Sequence, residues 1–166
     1  LRGLVGSEMC IRDRSCTKCS LSTGRTNVVF GRGNPKARIL IIGEGPGQQE
    51  DEQGLAFVGR AGKMLNKSFL SVGIDTNEDC YISNIVKCRP PNNRKPKSIE
   101  IEKCMPWLDS QIELIKPKVI VLAGSTAVQS YLNINQPISK IRGKWITRES
   151  IKSVSYTHLT LPTNVA

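Results

Sequence analysis

Four cysteines carry the first chemical signal in this chain. Cys16 and Cys19 stand two residues apart in a CTKC turn, from which two thiolates can ligate one metal or one cluster. A lone pair so spaced could equally be a redox couple, so the remaining thiols matter. Cys88 lies in a loop stiffened by Pro90 and Pro91, and Cys104 falls in the first two turns of a predicted helix. Four thiolates suit zinc or an iron–sulfur cluster equally well on grounds of softness, and unrelated buried cysteines are the competing reading. A shared centre would tie the start of the chain to the edge of a sheet. Cys80 sits in an apolar run and reads as a small buried residue.

The second signal is the loop at residues 43–51, GEGPGQQED. Gly43, Gly45, Pro46 and Gly47 demand special backbone angles, and Glu44, Glu50 and Asp51 bring carboxylates to the same turn. The loop follows the run Ala37-Arg38-Ile39-Leu40-Ile41-Ile42, whose β-branched content suits a buried strand. A glycine loop there lies at the carboxyl edge of a parallel sheet, where open α/β folds bind ligands. An ordinary strand-to-helix connection is the alternative. No Lys-Ser/Thr pair follows, so this is no Walker loop, and its carboxylates would repel phosphate. Asn84, near the end of a second strand, could aim its amide at a ligand or satisfy backbone groups.

The elements that must position these residues alternate. A helix is predicted over 61–72, with Met64, Leu65, Phe69 and Val72 inward and Gly73 ending it. A strand follows at 79–86. Ser98 is expected to cap the next helix, with Glu100 and Glu102 near its positive end. Ile101, Cys104, Leu108, Ile112 and Ile115 form its inward stripe, and Pro117 stops it. Residues 118–123 read as a third strand, followed by a short helix through Leu132 and a basic turn at 141–144. This order predicts a three-layer α/β/α domain with a mainly parallel, four-stranded sheet.

Lys and Arg number 24 against 14 Asp and Glu, a formal charge of +10 that suits a polyanionic partner such as nucleic acid. No apolar run approaches a membrane span, so no membrane partner is expected. Residues 1–14 lack the apolar core of a signal peptide, which favours a cytoplasmic chain whose thiols bind metal. Residues 1–14 and 153–166 lack periodicity and resemble translated adapter read-through. They are expected to pack poorly, leaving 15–152 as a single natural domain truncated at its carboxyl side. Cys10 lies in the first of these tails and is given no role.

Taken in order, GEGPGQQED, then GLAFVGRAG at 54–62, NIVKCRPPNNR at 84–94 and EIEKCMPWL at 100–108 resemble the type-4, iron–sulfur uracil-DNA glycosylases. The resemblance covers nearly all of 15–152. It implies that Cys16, Cys19, Cys88 and Cys104 hold a structural [4Fe-4S] cluster, zinc being the alternative. It also implies that Phe57 stacks on a flipped uracil and that Asn84 reads its polar edge. Gly43, Gly45, Pro46 and Gly47 would then lie beside the sugar. Glu50 is expected to position the attacking water, with Glu44 the other candidate. The family carries a His-Pro-Ser-like segment near its end, and the one histidine here, His158, falls at about that register but precedes Leu159. The implied protein is a monomeric, nucleoid-associated base-excision repair hydrolase acting on uracil-containing DNA. A non-catalytic nucleic-acid-binding module built on the four cysteines, or an inactive truncated glycosylase, is the competing reading.

Overall fold

Strand β2 (Ile39–Gly43) forms the centre of a six-stranded sheet in the order β1-β3-β2-β4-β6-β5. The computed structural model describes residues 14–156. In chain order its elements are β1 (Arg32–Gly33), β2, α1 (Gln48–Gln53), α2 (Arg60–Leu70), β3 (Cys80–Asn84), α3 (Ser98–Ile115), β4 (Val119–Ala123), α4 (Ser125–Leu132), α5 (Ile138–Ile141), β5 (Trp145–Arg148) and β6 (Ile151–Tyr156). The four inner strands β3, β2, β4 and β6 run parallel, while β1 and β5 pair antiparallel at the two edges. The expected parallel four are therefore present, and the count of four is corrected to six. Both edge strands are too short or too polar to give an apolar signature.

Alternation along the strands sorts their side chains onto two faces. Leu40, Ile42, Ile120 and Leu122 pack with Cys104, Leu108 and Ile115 of α3 and with Ala127 and Val128 of α4. Ile41, Ile82 and Val121 pack on the other face with Leu65 of α2, and Phe57 and Phe69 close over them. Helices on both faces make the three-layer α/β/α arrangement.

Two local expectations change. Ser98 is the first residue of α3 and Lys97 precedes it as the cap; Glu100 reaches back to accept from the Lys97 N–H at 2.7 Å. Residues 153–156, expected to pack poorly, complete β6, with Ser153 paired to Ile120 and Tyr156 to Ala123. The Ser155 hydroxyl is buried there without a hydrogen-bond partner. His158 and Cys10 lie outside the described residues.

Candidate active site

The pocket floor is set by register. Gly43 of β2 pairs with Asn84 of β3, so both face the same side of the sheet as Ile41 and Ile82. A Cβ on Gly43 would come within 2.4 Å of the Phe57 ring and 2.6 Å of Asn84 Oδ1. Glycine is required because two side chains already occupy that space. Phe57 and Asn84 thus converge on one spot. Asn84 is 1% exposed and its Oδ1 has no hydrogen-bond partner. A buried amide oxygen left unmatched costs about 1–3 kcal/mol, a cost that a ligand N–H would remove.

Phe57 is held in place from three directions. Its φ of 54° lies in the left-handed region, unusual for an aromatic residue. Gly62 of α2 packs so closely that a Cβ would sit 1.8 Å from the Phe57 carbonyl oxygen. Arg32 of β1 donates to the Ala56 carbonyl at 2.7 Å and to the Phe57 carbonyl at 3.3 Å, and its other nitrogens reach Asn66 and Asn77. Nothing in the sequence around Arg32 signals this role, since its partners lie 24 to 45 residues away.

The carboxylates of the glycine loop divide their work. Glu50 Oε1 accepts from the Val58 and Gly59 N–H groups at 3.0 and 2.7 Å, and Oε2 from the Gly47 N–H at 3.2 Å. Glu50 is thereby a brace that clasps the Phe57 loop to the start of α1, and its expected water-positioning role does not suit a carboxylate so engaged. Asp51 is buried and accepts from the Thr26 and Asn27 N–H groups. Glu44 differs. It is half-buried beyond the end of β2, and Oε2 accepts from Thr126 Oγ1 at 2.5 Å. Gly45 lies against the Val86 side chain, and Pro46 is buried.

Across the sheet, Cys16, Cys19, Cys88 and Cys104 line a single cavity of about 350 Å³ of empty space, partly open to solvent. Among the described residues, no three His, Cys, Asp or Glu side chains converge closely enough to share one metal ion. Four thiolates on one zinc would stand about 3.8 Å apart, the spacing set by tetrahedral bonds of about 2.3 Å. Thiolates that each bind a different iron stand further apart, and four thiols lining one cavity are the donor set that either centre takes. The surroundings agree. Arg25 donates to Cys88 Sγ at 3.4 Å and the Lys87 N–H to Cys104 Sγ at 3.3 Å. Trp107, under the Lys18 ammonium at 4.3 Å, keeps a buried indole N–H without an acceptor. Burial pushes the Cys88 thiol up to about 11, opposed by Arg25, so its proton leaves readily only when a metal centre takes its place.

Glu100 staples the three segments that carry these cysteines. The residue is 0% exposed; Arg94 grips both oxygens at 2.7 and 2.9 Å and Ser20 Oγ donates at 3.1 Å. Arg94 above all, helped by the Lys97 N–H and Ser20, holds its carboxyl down at about 2 against the opposing effect of burial. The folded value lies below the ordinary 4.5, so this stabilisation is complete above pH 4.5 and is lost as pH falls toward 2. Chemical denaturation across that window should show the wild type losing stability. Glu100→Gln should flatten the slope, and an unchanged acid profile would remove Glu100 as its source.

A family model described as the uracil DNA glycosylase superfamily matches residues 30–164. The chain is 48% identical over 134 residues to the type-4 uracil-DNA glycosylase of Archaeoglobus fulgidus, covering 78% of this chain and 67% of that one. Identity to the type-4 enzyme of Thermotoga maritima is 49% over 133 residues, covering 80% and 69% respectively. With the type-4 enzyme of Sulfurisphaera tokodaii it is 46% over 134 residues, covering 78% and 61%.

Proposed function

Because the chain belongs to the type-4 uracil-DNA glycosylases, we propose that it hydrolyses the N-glycosidic bond of a uracil rotated out of DNA. The observation that carries this reading is the Asn84 amide oxygen, buried and unmatched beside Phe57 above Gly43. Uracil offers an N–H where cytosine offers an acceptor, so such an oxygen selects the former. A base inside a duplex is out of reach, and stacking on Phe57 offsets part of the unstacking cost.

Bond cleavage builds positive charge on the sugar and negative charge on the departing base. Glu44, just beyond the end of β2, stabilises the first and orients the water that attacks it. Glu50 keeps Phe57 and the glycine loop in register. Grip on the phosphates falls to lysines and arginines, consistent with the charge of +10, so binding weakens steeply with salt. Among the described residues no helix is long and apolar enough to cross a membrane.

Cys16, Cys19, Cys88 and Cys104 would hold a [4Fe-4S] cluster. Bound there, it supplies a cross-link between chain segments rather than an electron. Anaerobically purified protein should be brown with about four irons per chain, and Cys88→Ser should lose both colour and thermal stability. A colourless protein containing zinc would overturn the cluster assignment.

The activity is tested on an oligonucleotide with one uracil, incubated and then treated with alkali. Strand scission is expected, and thymine or cytosine controls should stay intact. Binding without scission would leave the non-catalytic nucleic-acid module as the better reading. Phe57→Ala should weaken capture of the extrahelical base by about tenfold or more, the worth of one base–aromatic stack.

A further inference from the structure

The sheet order places β3 on one side of β2 and β4 on the other. The crevice between the carboxyl ends of β2 and β4 is therefore where the order reverses, the position at which open α/β sheets bind ligands. Glu44 stands just beyond β2. Thr126 stands in the first turn of α4, just beyond β4. Their side chains meet across that crevice at 2.5 Å, linking residues 82 apart in the chain.

We infer that Thr126 is a positioning residue for the glycosidic hydrolysis, its hydroxyl fixing Glu44 Oε2 so that Oε1 is directed at the attacking water. The inference rests on the glycosylase reading and on Glu44 as the water-orienting carboxylate. Two observations support it. Thr126 is 2% exposed, so solvent does not compete for its hydroxyl. A bond from a hydroxyl to a carboxylate, such as Thr126 makes to Glu44, is among the stronger and more directional hydrogen bonds. Holding one oxygen of a two-oxygen group removes the side-chain rotation that would otherwise scatter the water.

Thr126→Val removes the donor while keeping the shape. It should lower kcat for uracil release about 10- to 100-fold, the size of one charge-assisted hydrogen bond, with KM nearly unchanged. Thr126→Ser keeps the hydroxyl and should restore most of the rate. In a Glu44→Gln background, Thr126→Val should add little further loss, because the two act as one unit. Melting temperatures of the four variants against the wild type separate this from simple unfolding: a Thr126→Val loss that tracks melting, or is not rescued by serine, overturns the inference. Wild-type-like kcat in Thr126→Val, or a full additional loss in the Glu44→Gln background, overturns it while leaving the glycosylase reading intact. A wild type that releases no uracil overturns both.

Discussion

Glu44→Gln should slow uracil release by about 10²–10⁴-fold while leaving the melting temperature close to that of the wild type. The amide keeps the size of the side chain but cannot draw a proton from water or balance charge on the sugar. Glu50→Gln should show the opposite pattern. Its carboxylate accepts three backbone N–H groups, and replacing it with an amide weakens charge-assisted bonds worth about 2 kcal/mol in sum. Stability should fall, with a smaller loss of rate as the Phe57 loop loosens. Single-turnover scission assays paired with thermal melts distinguish the two. If Glu50→Gln proves the more damaging to rate at temperatures where both variants are folded, the division of labour drawn from the geometry is wrong.

Asn84→Leu should separate stability from activity. Leucine fills nearly the same volume without polar atoms, so it removes an oxygen that is buried and unmatched in the free protein. Unfolding free energy should rise by about 1 kcal/mol. Uracil release should fall by about 10²–10³-fold, the usual cost of losing one well-placed polar group at a departing anion. Such a trade is the signature of a residue kept for its ligand. Reduced stability accompanying the lost rate would indicate that the amide serves the fold instead.

The parts of this site that were legible share one property: their meaning is local. GEGPGQQED after an apolar run announces a loop at a sheet edge, and β2 and β4 appear within a residue or two of their expected limits. Phe57 and Asn84 were reachable through the resemblance, and register explains why they meet. Arg32, Thr126 and the clasp made by Glu50 were not. Each acts through backbone groups or a partner distant in the chain, and no periodicity encodes such contacts. Glu100 lies in the first turn of α3, near the positive end, as expected, but its burial was illegible for the same reason. A favourable dipole is a local matter, whereas Arg94 and Ser20, which enclose the carboxylate, come from other segments. β6 crossed an expected boundary because four residues with suitable backbone hydrogen bonds can extend a parallel ladder even where two of them are serines.

Lys87 joins the two faces of the sheet. The side chain is 2% exposed; its ammonium donates to the Asn84 carbonyl at 2.6 Å and to Ser83 Oγ at 2.7 Å, while its own N–H touches the Cys104 sulfur. The sulfur-lined cavity and the base-reading pocket lie on opposite faces of the sheet, and this short stretch runs from one to the other. A substitution at Lys87 would therefore be felt on both faces at once, at the Cys104 sulfur and at the strand end that carries Asn84.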